Sequence, residues 1–258
     1  MENRVVVITG ASAGIGAALA RLVAQRGARP FLVARREALL REVCASIGPP
    51  AAYRVADVSQ RDEVKAVVQA ALATHGHIDV WVNNAGRGIS RAPSELTDAD
   101  VHEMMQANAM SALYGMQEVL PHFKTRGTGH LINVSSMLGR VPFAIARSAY
   151  SASKHFLNSL TANFRMELRA THPGIQVSLV SPGVVATDFG LNALHGGIDS
   201  RALPFAQPVD EVASVIWDVI ESRRAEAYTR PGLQQQVVDY FSAPDVGALE
   251  TKPPFAPR

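Results

Sequence analysis

The feature that most constrains the fold of this chain is a regular alternation of short apolar runs with longer amphipathic segments. The short runs predict strands at 4–9, 29–35, 52–58, 78–86, 129–136 and 175–183, with 226–232 as a candidate seventh strand. Helical spacing lies between them, at 14–27, 37–48, 61–76, 98–121, 148–170 and 208–224. This alternation predicts an α/β protein with a parallel sheet, because parallel strands need a crossover between them.

The chain shows no linker or break in composition that would divide it. Its 258 residues, 47% of them hydrophobic, suit one domain with a large core. We therefore predict a single domain over residues 1–258. Its fold class is a Rossmann-like, doubly wound parallel sheet of about seven strands with helices on both faces. The Pro-rich segment 243–258 is expected to be a poorly ordered tail.

Charge and composition narrow the function classes. The net charge is +2 without a long basic run, which argues against a nucleic-acid partner. No stretch reaches the ~18 apolar residues of a membrane span, and the first apolar run is too short for a signal peptide. The single cysteine, Cys44, excludes an internal disulfide and fits a reducing compartment, so we expect a cytoplasmic protein. No HExxH motif or Cys cluster accompanies the eight histidines, and no metal site is predicted.

The first strand leads into the glycine-rich segment "TGASAGIG" at 9–16. Gly10, Gly14 and Gly16 allow a tight turn and a close approach of the backbone to a pyrophosphate. The N-terminus of the next helix then faces the negative charge. The spacing is GxxxGxG rather than GxGxxG, so this turn alone is only a moderate indication of a dinucleotide.

The same letters contain G-x-S-x-G at 10–14, the pattern of the nucleophile elbow in α/β-hydrolases. A hydrolase with Ser12 as the nucleophile is therefore an alternative function. The elbow of that fold follows several strands, whereas this one follows the first. No earlier strand is left to complete an oxyanion hole.

Basic residues at the end of the second strand favour NADP(H) over NAD(H). NAD sites usually carry an acidic residue there, but this chain has Arg35 and Arg36, whose guanidinium groups suit a phosphate. Ser12 adds a hydroxyl that could contact the same phosphate. Asp57, after the third strand, is a candidate for the adenine amino group. The alternatives are that both arginines are merely solvated and that Asp57 caps the next helix.

Tyr150 and Lys154 stand four residues apart in "YSASK". If 148–170 is helical, they lie one turn apart on the same face. A phenol titrates near ~10, but a nearby ammonium favours the phenolate and lowers its pKa. We therefore predict Tyr150 as a general acid–base, aided by Lys154 and by the positive ring of an oxidised nicotinamide. An ordinary amphipathic helix with a chance pair is the alternative for this stretch alone.

Further polar segments end neighbouring strands, where ligands bind in open α/β sheets. "NNAG" lies at 83–86 and "NVSS" at 133–136, while Asn108 lies in the predicted helix between them. Together with "TGASAGIG", "YSASK" and "SPG" followed by Thr187, these segments resemble the short-chain dehydrogenase/reductase family in its single-domain form. They occur in the family's order from residue 9 to about 188. The set is specific although each piece is modest.

The resemblance implies a role for each matching residue. Ser136 would orient a carbonyl, with Ser135 as a weaker alternative. Tyr150 would transfer the proton, Lys154 would lower the pKa of Tyr150 and bind the nicotinamide ribose, and Asn108 would support a water-linked proton relay. The residues implied for the cofactor are Gly10, Ser12, Gly14, Ile15, Gly16, Arg35, Arg36, Asp57, Asn84, Gly86, Tyr150, Lys154, Pro182, Gly183 and Thr187.

The predicted activity is thus NADP(H)-dependent hydride transfer between nicotinamide and a carbonyl or secondary alcohol. A non-catalytic NADP-binding sensor is a second alternative, although such proteins usually lack the Tyr or Lys. The apolar segment 184–206, with several glycines, is predicted as a mobile substrate lid, which favours an apolar small molecule. Arg140, Arg147 or His195 could instead meet an anionic group. The resemblance also implies a homodimer or homotetramer, paired through 98–121 and 148–170.

Overall fold

The computed structural model describes residues 3–251. Within that part, seven strands form one sheet. The strands are β1 (Val5–Thr9), β2 (Arg29–Ala34), β3 (Ala52–Val55), β4 (Val80–Asn83), β5 (Gly129–Val134), β6 (Ile175–Ser181) and β7 (Glu226–Tyr228). The helices of the same part are α1 (Gly14–Gln25), α2 (Glu37–Ile47), α3 (Arg61–His75), α4 (Asp98–Met105), α5 (Ser111–Arg126), α6 (Ser148–Thr171), α7 (Val209–Ser222), α8 (Leu233–Ser242) and α9 (Val246–Glu250).

The strand order β3-β2-β1-β4-β5-β6-β7 confirms the doubly wound parallel sheet. All six neighbouring pairs are parallel. The chain moves outward from β1 to β3, then crosses back and continues from β4 to β7 in the other direction. The order therefore reverses between β1 and β4, which creates a crevice at their carboxyl ends.

Two apolar layers cover the sheet, as expected for strands buried on both faces. Val6 and Ile8 of β1 face the layer with α1, α2 and α7, while Val7 between them faces the layer with α3, α5 and α6. Successive side chains of a strand point to opposite faces, so one short apolar run supplies both layers. This explains why continuous apolar runs, rather than alternating ones, mark the strands of this sequence.

The predicted helix 98–121 is not continuous. A π-helical turn, Gln106–Met110, separates α4 from α5, and α5 extends to Arg126 with Pro121 inside it. The extra residue of a π turn leaves helical hydrophobic spacing almost unchanged, so periodicity does not reveal it. Asn108 lies within this turn.

The C-terminal part contains structure that the sequence did not indicate. Helix α8 contributes Tyr240 to a small apolar cluster with Met137 and Val141, and Leu233 packs against the same cluster. Of the tail predicted over 243–258, residues 243–251 include α9, and residues 252–258 lie outside the described part. Within residues 3–251, every helix is too short or too polar to cross a membrane.

Candidate active site

The crevice between β1 and β4 is held together by side chains at the two strand ends. The Thr9 hydroxyl accepts hydrogen bonds from the backbone N–H groups of Asn84 and Ala85, at 3.0 and 3.1 Å. The Asn84 amide donates to the carbonyl of Thr9 at 2.9 Å and to that of Gly10 at 3.3 Å. Asn84 therefore fixes the glycine-rich turn to the end of β4.

The glycine-rich turn has the local features of a pyrophosphate site. A Cβ on Gly16 would stand 2.4 Å from the carbonyl oxygen of Gly10, so no other residue fits there without displacing backbone. Gly10 has a φ of 68° and passes close to Ala85. The first turn of α1 has no side-chain cap at Ala13 and no acidic residue. Its backbone donors are thus available to an anion, which fits a dinucleotide.

The two basic residues after β2 differ in how closely they approach this turn. Arg36 donates from Nε to the Ser12 hydroxyl at 3.3 Å and lies 3.7 Å from Asp188. Arg35 is more exposed and lies 3.6 Å from Asp57. The Asp57 carboxylate also accepts from the backbone N–H and hydroxyl of Ser59. Hydrogen bonds from Ser59 and the charge of Arg35 lower the pKa of Asp57, although burial opposes this.

The side-chain partner of Ser12 is Arg36, and no hydrogen bond to a histidine exists for it in the described part of the chain. A Ser nucleophile needs an adjacent base, so the geometry gives the hydrolase alternative no support. A cavity of about 680 Å³ lies beside Ser12 and Gly14, between α1, α2 and the segment 184–206. Its lining does not include Tyr150.

Tyr150 and Lys154 lie in the first two turns of α6, and both are buried, with 9% and 3% of their surface exposed. The Lys154 Nζ lies 5.8 Å from the centroid of the Tyr150 ring. It donates to the carbonyl of Val134, the last residue of β5, at 2.9 Å. The helix thus places both groups against the carboxyl edge of the sheet, as the four-residue spacing predicted.

Ser136 and Ser135 are separated by the alternation of side chains after β5. The Ser135 hydroxyl donates its hydrogen bond to the side chain of Asn158 in α6. The Ser136 hydroxyl accepts from the backbone N–H of Leu138 at 3.1 Å and lies within hydrogen-bonding reach of the Tyr150 phenol. Ser136 is therefore the serine that faces the candidate acid–base.

The direction predicted for the pKa of Tyr150 is wrong for the protein chain alone. Burial raises it to about 12, which outweighs the opposing effects of the Ser136 hydrogen bond and the charge of Arg147. Burial also lowers the pKa of Lys154 to about 8. Desolvation disfavours the charged form of each group. This effect exceeds the lowering of the Tyr150 pKa that was expected from the nearby Lys154 ammonium.

Asn108 is 1% exposed and holds the loop after β4 with its side chain. It accepts from the backbone N–H of Arg87 at 2.8 Å and donates to the carbonyl of Arg87 at 2.9 Å. A Cβ on Gly86 would stand 2.8 Å from the Asn108 side-chain oxygen and 3.8 Å from the Lys154 Nζ. Gly86, Asn108 and Lys154 therefore meet at one place. Asn108 contributes to it from a π turn, a feature often found at functional sites.

The segment after β6 closes the site from the other side. The carbonyl of Pro182 accepts from the backbone N–H of Met137 at 2.8 Å, which ties this segment to the one carrying Ser136. Gly183 faces Leu233 of α8. Thr187 approaches Gly14, where a Cβ would lie 3.1 Å from its methyl group. Ile15, beside Gly14, packs into the core around α1.

Only some of the apolar residues of segment 184–206 pack against Tyr150. Phe189 and Leu194 pack with Ile89 and Tyr150 in one cluster, and the Phe189 and Tyr150 ring centroids are 5.7 Å apart. The large apolar side chains of this segment that face solvent are Val184, Leu191, Ile198 and Phe205. Leu194 pairs with Ile89 in a parallel bridge. Fewer residues of the predicted apolar lid therefore face Tyr150 than its sequence indicates.

Residues that the sequence analysis missed set the position of α6 against the sheet. Asn83 and Asn133 lie side by side in β4 and β5, and their amides bond at 2.8 Å. Asn133 then donates to the hydroxyl of Thr161 in α6 at 2.8 Å. The sequence did show asparagines at the ends of predicted strands. An asparagine at such a position can contact a ligand or support the fold, and the sequence pattern is the same in both cases. In residues 3–251, no group of three or more His, Cys, Asp or Glu side chains could hold a metal ion.

A doubly wound sheet with an uncapped glycine turn at its point of reversal, and a buried Tyr–Lys pair at the same edge, defines a dinucleotide-binding α/β protein. Comparison with known proteins narrows this class. The family model described as short chain dehydrogenase matches residues 4–195, and the chain therefore belongs to the short-chain dehydrogenase family.

Relatives and solved structures agree with this assignment. The protein called uncharacterized oxidoreductase YxnA, from Bacillus subtilis, is 32% identical over 235 residues, which cover 88% of this chain and 65% of that protein. The chain thus spans slightly less than two thirds of that relative's length. A short-chain dehydrogenase from Sphingobium yanoikuyae, solved with NADPH, is 28% identical with a TM-score of 0.79, covering 92% of both chains.

The same fold occurs in a short-chain dehydrogenase/reductase from Burkholderia phymatum, solved in complex with NAD. That structure has a TM-score of 0.86 at 23% identity and covers 100% of this chain and 98% of its own. One similar protein was thus solved with NAD and another with NADPH. The family thus indicates a nicotinamide cofactor. The two structures hold one form without the 2′-phosphate and one form with it.

Proposed function

We propose that this protein is an NADP(H)-dependent oxidoreductase that interconverts a carbonyl and a secondary alcohol on a small molecule. The observation that carries this proposal is the buried group of Ser136, Tyr150 and Lys154 beside a glycine turn that fits a pyrophosphate. Burial of three polar groups at one strand edge is costly unless they serve an interaction. Perturbed titration of Tyr150 and Lys154 also favours a functional site.

In this proposal Ser136 donates a hydrogen bond to the substrate oxygen, and Tyr150 gives its proton to that oxygen during reduction. The bound nicotinamide would supply or accept the hydride. Lys154 lies beside Tyr150 and near Gly86. In this proposal it binds the ribose hydroxyls of the nicotinamide and helps to restore the proton of Tyr150. Asn108 holds the loop that contains Gly86, so it acts as a positioning residue.

Preference for NADP(H) is supported by the basic groups after β2. Arg36 contacts Ser12, and Arg35 stands beside Asp57, so two guanidinium groups flank the turn where a 2′-phosphate would lie. An acidic residue at the end of β2 would instead favour a free 2′-hydroxyl. The relative from Sphingobium yanoikuyae, solved with NADPH, adds support from similarity.

The experiment that tests this function measures NADPH oxidation with a panel of ketones and aldehydes, with Tyr150→Phe beside the natural protein. We expect turnover by the natural protein and a loss of about 100-fold or more in Tyr150→Phe, because a positioned general acid typically contributes a factor of this size. Tyr53→Phe, in the edge strand β3, serves as the matched control and should keep full activity.

Binding of NADPH to Tyr150→Phe, measured by fluorescence titration, separates chemistry from cofactor affinity. Normal binding with lost turnover supports the proposed role of the phenol. Retained turnover in Tyr150→Phe contradicts it. NADPH binding without turnover of any carbonyl by the natural protein would favour the sensor alternative.

A further inference from the structure

Three basic side chains near the pocket are candidates for meeting an anionic group: Arg140, Arg147 and His195. The structure distinguishes them by their partners. Arg140 donates from Nη2 to Glu226 at 2.8 Å, a carboxylate that it shares with Arg165, although its Nε has no partner within residues 3–251. His195 lies 2.7 Å from a carboxylate oxygen of the buried Asp100. Both of these groups are therefore already committed to acidic residues.

Arg147 differs from the other two because its guanidinium has no acidic partner among residues 3–251. Its Nη1 is buried without any hydrogen bond within that part of the chain. Arg147 directly precedes α6 and stands three residues before Tyr150. A buried guanidinium nitrogen without a partner loses hydration and gains nothing in exchange, which is unfavourable unless a ligand supplies the acceptor.

The surroundings of Arg147 place this cation at the substrate side of the site. A Cβ on Gly88 would stand 2.6 Å from Arg147 Nη1 and 2.9 Å from the Phe189 ring, so these groups converge on Gly88. A Cβ on Gly197 would stand 3.0 Å from Arg147 Nη2. The guanidinium thus lies between the loop after β4 and the segment 184–206, next to the ring that contacts Tyr150.

A charge effect links Arg147 to the candidate acid–base. The guanidinium favours the phenolate of Tyr150, and the phenolate in turn favours the charged form of Arg147. The Phe189 ring contacts Tyr150 and also converges with the Arg147 guanidinium on Gly88, so Tyr150 and Arg147 border the same region. A small molecule whose oxygen meets Tyr150 would therefore present a second group to Arg147.

The next residue adds to the polar character of this corner. The Ser148 hydroxyl, in the first position of α6, is also buried and has no partner in the described part of the chain. The 24-residue helix presents its positive end here, and its first turn contains no acidic residue. Two unpartnered polar groups at one helix start are unusual, since most buried polar groups are paired.

We propose that Arg147 binds the carboxylate of the substrate, so that the protein acts on oxo acids and the corresponding hydroxy acids. This inference rests on the proposed function, and it names the substrate class for the same site. Guanidinium and carboxylate pair through two parallel hydrogen bonds, which fixes orientation as well as affinity. The carboxylate on Arg147 would hold the reacting carbon against Ser136 and Tyr150.

The test compares each acid with its uncharged ester. Acetoacetate and its methyl ester, together with 2-oxobutanoate and its methyl ester, are reduced with NADPH by the natural protein, Arg147→Gln and Arg140→Gln. We expect the natural protein to prefer one of the acids, and Arg147→Gln to lose about 10- to 100-fold in kcat/KM for that acid but little for its ester. Arg140→Gln should leave the acid-to-ester ratio unchanged.

Equal turnover of acids and esters by the natural protein, or an equal loss of both in Arg147→Gln, overturns the carboxylate site and leaves the oxidoreductase proposal standing. A second measurement does not depend on turnover. Calorimetric titration of butanoate at fixed ionic strength, with NADP present, should give binding that Arg147→Gln removes and Arg140→Gln keeps. Binding that Arg147→Gln leaves unchanged overturns the site even if no carbonyl is reduced.

Discussion

At the scale of single residues, the phenol of Tyr150 is an acid held in its neutral form. Its pKa of about 12 means that the proton is present throughout the neutral range. Reduction of a carbonyl needs that proton, whereas oxidation of an alcohol needs the phenolate. The chain therefore holds Tyr150 at neutral pH in the form that the proposed reduction requires.

A pH dependence follows from this asymmetry. Well below its pKa, the ionised fraction of Tyr150 rises about tenfold for each pH unit. We expect kcat/KM for alcohol oxidation to increase steeply between pH 7 and pH 9, while carbonyl reduction stays nearly constant. Steady-state profiles in both directions measure this. An oxidation rate that does not change over this range would contradict the role of Tyr150.

Lys154 predicts a stability that depends on pH in the protein without nucleotide. Its folded pKa of about 8 lies below the ordinary value of 10.5, so between these values the unfolded chain binds the proton more strongly. The free energy of unfolding should therefore rise with pH in this window. Between pH 7.5 and pH 9.5 we expect a gain of about 1–2 kcal/mol.

Urea unfolding at the two pH values measures this gain, with Lys154→Met as the comparison. The variant lacks the titrating group, so it should lose the gain while other titrations cancel in the difference. An equal pH response in both proteins would show that burial does not depress the pKa of Lys154. Above pH 10 the raised pKa of Tyr150 acts in the opposite sense, because the folded state then holds its proton more strongly.

Arg36 and Arg35 predict how the cofactor is selected. Arg36 contacts Ser12 directly, while Arg35 is more exposed and lies beside Asp57. We expect Arg35→Ala and Arg36→Ala each to weaken NADPH binding by about 10-fold or more and to leave NADH within a factor of a few. Arg41→Ala, in the α2 helix that follows these residues and paired with Glu37, is the control. Equal losses for both nucleotides would place the selectivity elsewhere.

Sequence alone predicted the residues whose spacing fixes their geometry. Tyr150 and Lys154 share a helix face because four residues make about one turn. Ser136 was preferred to Ser135 only through the family resemblance, and the structure supplies a physical reason, because the Ser135 hydroxyl donates to Asn158. The pKa of Tyr150 was predicted in the wrong direction, because depth of burial depends on contacts from α4 and the segment 184–206, which no local pattern reports.

At the scale of elements, a polar contact between His195 and Asp100 fastens the segment 184–206 to α4. His195 lies 2.7 Å from Asp100, which also accepts from Arg91 at 2.8 Å and from the backbone of Thr97. Hydrogen bonds from Thr97, His195 and Arg91 hold the pKa of Asp100 well below its usual range. The carboxylate therefore stays charged and anchors the segment.

Removal of this contact should loosen the segment without changing the chemistry. We expect His195→Ala to raise KM for the substrate by about 3- to 5-fold with kcat nearly unchanged, since a single partly exposed pair is weak. His172→Ala, at an exposed site after α6, is the control. An unchanged KM, or a fall in kcat alone, would mean that this contact does not position the segment.

The strands and most helices were predictable because burial imposes periodicity on them. The π turn and the two C-terminal helices, α8 and α9, were not. The π turn Gln106–Met110 adds one residue to a helix and hides within its pattern. Helix α8 follows a Pro-Gly pair and is short, and its apolar residues become meaningful only where they meet Met137 and Val141.

At the scale of the whole molecule, exposed apolar residues support the predicted self-association. Phe156 and Met166 of α6 are 41% and 62% exposed, and Val101 of α4 is 44% exposed. A long helix with large apolar groups facing solvent is typical of an interface between subunits. The predicted pairing through 98–121 and 148–170 involves the same helices.

We expect the natural protein to sediment as a dimer or tetramer and the double variant Phe156→Glu, Met166→Glu to sediment as a smaller species. Two buried charges at an interface cost more than a dimer of ordinary size tolerates. Analytical ultracentrifugation measures the masses. The exposed pair Val238→Glu, Phe241→Glu on α8 is the comparison. A monomeric natural protein, or an unchanged mass in the α6 variant, would contradict this interface.

The small cluster of Met137, Val141, Tyr240 and Leu233 has a consequence for the order in which the molecule is made. Synthesis proceeds from the N-terminus, so the glycine-rich turn emerges before the segment that carries Ser136, and α8 emerges after both. Until α8 has left the ribosome, Met137 and Val141 lack Tyr240 and Leu233 as packing partners. The segment that carries Ser136 therefore reaches its final packing later than the glycine-rich turn.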